Sequence, residues 1–469
     1  MTSATMAARS LIRRSCRRSY STELDARKGD RERLVVIGSG WAGFGILREV
    51  DKKRYQTIVI SPRSYFAFTP LLASTAVGTL EFRTAIEPVR RKGVELYQAW
   101  AETVDFDAKS VTVQSNRGSG LDKDQGGDKF SIHYDKASPP LSPFSLSNSL
   151  QLVIAPGAYS QTFNIPGVTQ HAYFLKDASD ARQIRQRILS NFEQAALPTT
   201  SPADRDKLLH FCIVGGGATG VEFAAELHDL LHDDLPSLYP SRGTQSLVEQ
   251  HARITIYDVA PRILGMFDTA LAEFAERHLK REGVTVQPNH VVQRVEPGML
   301  HFKGGEVVPF GMLVWATGLA TNPFVARINN VEKESAPQGR ILTDAKLRVL
   351  KKGGEPISDV FALGDCAMIK DGPVLPTTAQ VASQKAKYLA KQLNSPDPSD
   401  GPNFVFRNFG ALAYLGGWRA IMQGESQNVK GWAAWVIWRG AYLTKSVSWR
   451  NKILIPTLWC VPTITLELV

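Results

Sequence analysis

Twice in this chain an apolar run passes into a G-x-G-x-x-G loop and then into helix-forming sequence. The first copy is "RLVVIGSGWAGFGILREV", residues 33 to 50, and the second is "HFCIVGGGATGVEFAAELHDLL", residues 210 to 231. In the first, Leu34–Ile37 predicts a buried strand, Gly38, Gly40 and Gly43 form the loop, and "YQTIVIS" supplies the next strand up to Ser61. In the second, Phe211–Val214 predicts the strand, Gly215, Gly217 and Gly220 form the loop, and "ARITIYD" ends the next strand at Asp258. Strand, glycine loop, helix and strand in that order make a βαβ unit. Its first glycines let the backbone turn tightly and approach a pyrophosphate, whose charge meets the helix N-terminus. The expectation is an α/β protein with two Rossmann-like dinucleotide-binding domains.

The two copies differ in chemistry. Asp258 is placed to accept hydrogen bonds from a ribose 2′-OH and to repel a 2′-phosphate, which favours NADH over NADPH. Its distance from the loop exceeds the usual ~20 residues, and "LPSLYPSRGTQS" (235 to 246) reads as an inserted loop. The first copy has no such acid, since its strand ends in Ser61, Pro62 and Arg63. Two coenzymes fit this pattern, as does one working site beside a relic.

At 469 residues the chain predicts two or three domains. The four cysteines, Cys16, Cys212, Cys366 and Cys460, form no CxxC pair, so neither a disulfide framework nor a dithiol redox centre is expected. The histidines show no metal-ligand spacing, and no EF-hand calcium loop is present. The net charge of +10 concentrates at the start. Residues 1 to 22 hold Arg9, Arg13, Arg14, Arg17 and Arg18 and no acid, the composition of a mitochondrial transit peptide. Cleavage near Tyr20 removes those five arginines and leaves +10 − 5 = +5. That modest balance, with no groove-reading motif, argues against nucleic acid. No run reaches the roughly 18 apolar residues of a spanning helix.

Further landmarks are "VFALGDCA" (360 to 367), "LVWATGLATNP" (313 to 323, with Gly318) and "LVIAPGA" (152 to 158). With the paired loops they resemble the two-dinucleotide-binding flavoproteins. That resemblance implies non-covalent FAD on the first loop, NADH on the second, and Asp365 at the flavin's ribityl-phosphate region. It also implies an NADH domain (166–330) inserted into the FAD domain (31–165 and 331–400), followed by a C-terminal membrane-anchoring region (401–469). The Ser/Pro/Gly-rich stretch 115 to 150 reads as an elaborated loop.

Within these flavoproteins the missing dithiol argues against glutathione-reductase-like enzymes, and the scattered cysteines argue against sulfide:quinone oxidoreductases. The stretch "VISPRSYFAFTPLLASTAVGTLEFRTAIEPVRR" (59 to 91), Trp41 in the first loop, "GGGATGVEFAAEL", "ALGDCA" and "PTTAQVASQ" resemble the type II NADH:quinone oxidoreductases. The resemblance runs from Arg33 to the C-terminus and is weakest at 115 to 150 and 232 to 250. It implies NADH:ubiquinone oxidoreductase activity in the mitochondrial respiratory chain, without proton pumping. Ser61, Pro62, Thr69 and Pro70 are then expected beside the flavin. Glu222 is expected near the nicotinamide, positioning NADH and delivering a proton, with Glu226 one turn on as a helix-face or packing residue. Gln380 and Gln384 are expected in the quinone tunnel, where an amide donates to a quinone oxygen more strongly as that oxygen gains charge. Two other readings stay open: a flavoprotein of the apoptosis-inducing-factor or ferroptosis-suppressor type, and a non-enzymatic NADH-responsive interaction protein.

The C-terminal region carries its own signal. From Val429 to Leu466 there is no acid, while Lys430, Arg439, Lys445, Arg450 and Lys452 are basic. Trp418, Trp432, Trp435, Trp438, Trp449 and Trp459 are six of the nine tryptophans. Tryptophan prefers the headgroup level and basic side chains favour anionic lipid. Trp432, Trp435, Val436, Tyr442 and Leu443 are spaced for one helical face, which predicts peripheral membrane binding; the short presequence with no following hydrophobic stop segment favours the matrix side of the inner membrane, with the intermembrane space as the alternative. A homodimer interface is the other use for such a face.

Overall fold

A computed structural model describes residues 24, 26–116, 127–134, 151–239, 246–336, 339–396, 401–425, 427–446 and 448–460. The expected transit peptide and most of the 115–150 stretch lie outside these residues. In chain order, β1 (Glu32–Ile37), α1 (Trp41–Glu49) and β2 (Tyr55–Ser61) form the first βαβ unit, and α2 (Leu72–Val77) follows. β3 (Gln151–Ile154) precedes the second unit of β4 (His210–Val214), α3 (Ala218–Asp229) and β5 (Arg253–Tyr257). Then come β6 (Met312–Trp315), β7 (Pro356–Ala362), α4 (Ala379–Asn394), β8 (Ala411–Gly416), α5 (Trp432–Lys445) and α6 (Trp449–Cys460).

The chain divides into two compact units. One comprises the residues up to Phe66, Pro88–Tyr159 and Thr321–Phe406; the other comprises Ala67–Glu87, Ser160–Ala320 and Arg407–Val469. The sequence reading grouped Ala67–Glu87 with the flavin domain, yet its contacts lie in the second unit. The reason is α2, whose residues Leu72 to Val77 are all buried. A helix apolar on every side needs neighbours all round, and α2 finds them in Ala178–Ala196 and α3.

The first unit holds a ten-stranded sheet in the order Ala367–Ile369, Ile341–Thr343, Arg348–Leu350, β7, β3, β1, β2, Glu95–Asp105, Ser110–Ser115, Lys129–His133. β1 lies parallel between β2 and β3, and β7 lies parallel to β3. Leu34, Val35, Val36 and Ile58 to Ile60 are wholly buried, because strands covered on both faces read as continuous apolar runs rather than alternating ones. The second unit repeats the plan on a smaller scale, in the order Tyr173–Phe174, β6, β4, β5, Thr285–Gln287. Here β4 lies parallel between β5 and β6. Each glycine loop therefore leaves the C-terminal end of a central strand with a parallel neighbour on both sides, where open α/β sheets bind ligands.

Two regions depart from the sequence reading. The stretch 235 to 246 is not all loop, since Leu235–Leu238 is helical and follows a π-helical turn at Leu230–Asp234. The C-terminal region holds the expected helices, α5 and α6, but begins with a three-stranded sheet of β8, Arg419–Gln423 and Asn428–Gly431. Ala225 of α3 shares a core with Tyr414, Ala420, Ala434, Trp435 and Trp438 of this region.

Candidate active site

The two loops are built alike. Gly38 and Gly215 take left-handed φ values of +104° and +115°. A Cβ on Gly38 would stand 2.1 Å from the Ala155 carbonyl oxygen, and one on Gly215 would stand 2.5 Å from that of Ala316. The third glycines set how closely each helix approaches its loop: a Cβ on Gly43 or Gly220 would stand 2.0 Å from the carbonyl oxygen of Gly38 or Gly215 respectively. The middle glycines, Gly40 and Gly217, face open space and form the N-caps of α1 and α3. Asp177, Ser201, Ser246, Asp268, Asn322 and Thr378 cap the helices that follow them. α1 and α3 have neither a capping side chain nor an acid in the first turn. Helix N-termini with neither a side-chain cap nor an acid suit a dinucleotide pyrophosphate.

In the first unit, Trp41 begins α1 and meets Phe66 edge-on at 5.0 Å. Ser61 is buried at the end of β2, its hydroxyl 2.8 Å from that of Ser39, which in turn donates to the Tyr65 carbonyl. Pro62 accepts a hydrogen bond from the Asn116 amide. Asp365 follows β7 in a turn whose Gly364 would place a Cβ 3.2 Å from Ala42 on α1, so the Gly-Asp pair and the first loop are neighbours. Asp365 lines a small cavity with Arg340, Thr377, Thr378 and Lys385. Arg340 is held by Glu334 in two hydrogen bonds of 2.7 and 2.8 Å. Lys385 is buried on α4, and burial pushes its ammonium down to about 8, against the opposing pull of Cys366. Cys366 donates to the carbonyls of Ile154 and Leu363, and burial pushes its thiol up to about 12, so it is a packed residue and not a nucleophile. Gln380 and Gln384 sit half-buried on the first turns of α4, which Thr378 caps.

In the second unit, the Asp258 carboxylate accepts from the Gly216 amide at 2.5 Å and the Ala260 amide at 2.7 Å. This acid shapes the mouth of its own loop. Gly318 follows β6 and its carbonyl accepts from the Gln161 amide. Thr69 and Pro70 form a short 3₁₀ turn up to Leu71, and the Phe68 amide donates to the Ala85 carbonyl at 2.7 Å.

The feature sequence reasoning undervalued is an acidic stripe on α3. Glu222, Glu226 and Asp229 follow i, i+4, i+7 spacing and share one face. Glu222 accepts from the Tyr414 amide at 3.1 Å and the Trp438 indole at 3.3 Å. Glu226 accepts from the hydroxyls of Ser74 at 2.6 Å and Thr79 at 2.9 Å. Asp229 accepts from the Tyr414 hydroxyl at 2.7 Å. Burial pushes both Glu222 and Glu226 up to about 7; the hydrogen bonds oppose this, and neighbouring acids add to it. Carboxyls that titrate near neutrality can hold and release a proton at physiological pH. Glu226 was expected to be a helix-face or packing residue. Its signal lay in the sequence, as a second acid one turn along the buried face of a helix.

The helical face predicted in α5 is split. Trp435 and Trp438 are buried in the core shared with β8, whereas Trp432 is 65% exposed and Val436 and Ile437 are partly exposed. The Arg439 guanidinium lies 4.2 Å from the Trp435 ring and 4.4 Å from the Trp459 ring. Tryptophan here therefore builds the domain as well as facing outward. No helix among the described residues is long and apolar enough to cross a membrane.

Residues 32–386 match the pyridine nucleotide-disulphide oxidoreductase family, and residues 409–465 match the NDH2 C-terminal domain. A probable NADH dehydrogenase of Dictyostelium discoideum is 37% identical over 92% of this chain and 89% of its own length. The internal alternative NAD(P)H-ubiquinone oxidoreductase A1 of Solanum tuberosum mitochondria is 35% identical over 94% of this chain and 90% of its own. The structure of NDH2 from Plasmodium falciparum in complex with NADH superposes with a TM-score of 0.79 at 24% identity, covering 92% of this chain and 98% of that one. That likeness establishes the fold.

Proposed function

This chain belongs to the pyridine nucleotide-disulphide oxidoreductase family, among the alternative NAD(P)H-ubiquinone oxidoreductases, and from that premise we propose what its residues do. It is a non-pumping NADH:ubiquinone oxidoreductase. FAD, when bound, supplies the centre that takes a hydride from NADH and passes two electrons to ubiquinone. Gly38, Gly40, Trp41 and Gly43 hold the FAD pyrophosphate at α1, with Ser61, Pro62, Thr69, Pro70 and Asp365 as its further contacts. Gly215, Gly217 and Gly220 hold that of NADH at α3, Asp258 takes its ribose, and Gly318 closes the site. Glu222 positions NADH and holds a proton for the quinone, which needs two. Gln380 donates to the quinone oxygens, with Gln384 as a weaker partner. The domains follow as 31–165 with 331–400 for FAD, apart from Ala67–Glu87, whose contacts lie in the second unit, 166–330 for NADH and 401–469 for the membrane.

The observation that carries this reading is the pair of loops with the same geometry and different strand ends: an acid at Asp258, and Ser61 with Pro62 in the other. Purified protein is then yellow, is bleached by NADH, and regains its colour when a short-chain quinone is added. A colourless protein, or one that quinone does not restore, defeats the reading; the second result is what a non-enzymatic NADH-responsive protein would give.

We place the protein in the mitochondrion, on the matrix face of the inner membrane, bound peripherally through its C-terminal region. The support is the arginine-rich start, the lack of acids from Val429 to Leu466, and the exposed Trp432, Trp449 (80% exposed) and Ile453 (69% exposed). A homodimer through the same region is compatible with it. Co-sedimentation with phosphatidylcholine–cardiolipin vesicles, lost in Trp449→Ala/Ile453→Ala, tests the lipid contact.

A further inference from the structure

Helix α6 has two opposed faces. Trp449 and Ile453 are exposed, while Asn451 and Ile455 are buried at 2% and 1% exposure. At 100° per residue the pair 449/453 and the pair 451/455 lie on opposite sides. An asparagine on the inner face must find partners or leave its amide unsatisfied. The Asn451 amide nitrogen donates to the Thr84 carbonyl at 2.9 Å and to the carboxylate of Glu87 at 3.3 Å. Beside it, the Arg450 guanidinium donates to the Arg83 carbonyl at 3.0 Å. The residue after Thr84 is Ala85, whose carbonyl accepts from the Phe68 amide at 2.7 Å. One peptide unit therefore separates the hydrogen bond of α6 from the strap that fixes Phe68, Thr69 and Pro70. Tyr442 of α5 meets the Phe68 ring edge-on at 6.3 Å. Of the C-terminal helices, α5 thus touches the segment read as the flavin's neighbour directly, whereas α6 reaches it through the adjoining Thr84–Ala85 peptide, by way of the buried Asn451.

We propose that Asn451 is a positioning residue for quinone reduction: it ties the lipid-facing helix α6 to the Phe68–Thr69–Pro70 segment, so that seating α6 on a lipid surface holds that segment in place. This rests on the reaction and the lipid contact proposed above. The tie acts on the quinone half-reaction, because ubiquinone is the lipid-borne substrate and NADH the water-borne one. The outward pair Trp449 and Ile453 takes up the lipid contact, and the inward pair transmits it.

The test uses the full chain with its flavin, with and without phosphatidylcholine–cardiolipin vesicles. Two rates are followed: bleaching by NADH, and recovery of colour with a short-chain quinone. Vesicles should speed recovery in the wild type. In Asn451→Ala that vesicle-dependent rate should fall about fivefold (about 1 kcal/mol at 1.36 kcal/mol per factor of ten), with bleaching and vesicle co-sedimentation unchanged. Asn451→Asp, which sets a carboxylate against Glu87, should lose at least as much. Hydrogen exchange supplies a readout that needs no variant: vesicles should slow exchange of the amides between 68 and 85 in the wild type. Wild-type recovery in Asn451→Ala, equal loss in both half-reactions, or exchange indifferent to vesicles would each overturn the proposal. If Asn451→Ala does not retain flavin, Asn451→Ser carries the same comparison. A wild type whose colour no quinone restores points instead to failure of the proposed reaction.

Discussion

The first and middle glycines of the first loop make opposite demands on a methyl group, and a pair of alanine substitutions separates them. Gly38→Ala would force a Cβ to 2.1 Å from the Ala155 carbonyl oxygen, far inside the 3.0 Å that real Cβ atoms respect, at a φ of +104°. The obstructing atom is backbone at the end of β3, so it cannot swing aside. A left-handed non-glycine residue alone costs on the order of 1–3 kcal/mol, and the overlap adds to that. Gly38→Ala should therefore lower the melting temperature of the protein whether or not flavin is bound. Gly40→Ala meets nothing within 4 Å, at a φ of −75°. Its effect on folding should stay within about 1 kcal/mol, since the lost chain entropy of glycine offsets a poorer N-cap.

The space beside Gly40 is where a pyrophosphate must come closest to the uncapped α1. A methyl there should cost at least one charge-assisted hydrogen bond, about 1.5–3 kcal/mol, or roughly ten- to hundredfold in FAD affinity. Fluorescence of released flavin on dilution measures the affinity, and circular dichroism the melting temperature. Gly40→Ala with wild-type FAD affinity would refute the placement of the phosphate. Gly38→Ala with wild-type stability would refute the claim that the left-handed turn is obligatory. The second loop offers a control, because Gly217→Ala should weaken NADH binding and leave the flavin content intact.

Three further outcomes are expected. Glu226 is raised from 4.5 to about 7 by burial, so the folded protein keeps a proton that the unfolded chain has released, and stability falls as pH rises between those values; the loss is about 3 kcal/mol at 1.36 kcal/mol per pH unit. Glu226→Gln, which stays neutral, should flatten the fall in melting temperature between pH 5 and pH 8, and an unchanged slope would assign the loss to Glu222. Gln380→Ala should slow recovery of flavin colour by quinone about tenfold, the worth of one hydrogen bond to a developing charge, while bleaching by NADH keeps its rate in stopped-flow; equal slowing of both would make Gln380 structural. Asp258→Asn should narrow the preference for NADH over NADPH, measured as the ratio of kcat/KM values, by about tenfold or more, because the repulsion of a 2′-phosphate disappears; a ratio unchanged from wild type would leave Asp258 with its loop-shaping role alone.

Both glycine loops were legible because their requirements are local. A left-handed turn, a close helix and an uncapped N-terminus each need glycine at a fixed spacing, and the apolar runs beside them can only be buried strands. The partners of the acidic stripe were not legible. Ser74, Thr79, Tyr414 and Trp438 come from segments 140 and more residues away in sequence, at separations of 152, 147, 192 and 216 residues, and no spacing rule links them to α3. Lys385 lies between these cases. Val381, Ala382, Ala386, Leu389 and Ala390 mark the buried face of α4, and Lys385 falls on it, so the sequence holds the anomaly. What it does not hold is the cavity that Lys385 lines together with Asp365.

The division of labour in this protein follows from the same contrast. The loops are so constrained by their own backbones that the two copies differ little, and neither can by itself select a coenzyme or an acceptor. On the proposed reading, selectivity comes from side chains that other segments deliver: Asp258 from the strand after the second loop, Asp365 from the turn after β7, Glu222 held by β8 and α5. Glu222 shows the consequence most directly. Its carboxylate stands on the nucleotide helix, yet two of its donors, Tyr414 and Trp438, belong to the C-terminal region. Removing those donors would leave a buried acid with less reason to ionise, since hydrogen bonds to the carboxylate are what oppose burial. If Glu222 holds the proton as proposed, the C-terminal region takes part in that chemistry: Trp438→Phe, which keeps an aromatic ring and removes the indole donor, should move the alkaline limb of quinone reduction to higher pH. An unshifted limb would mean that Glu222 does not set the pH dependence.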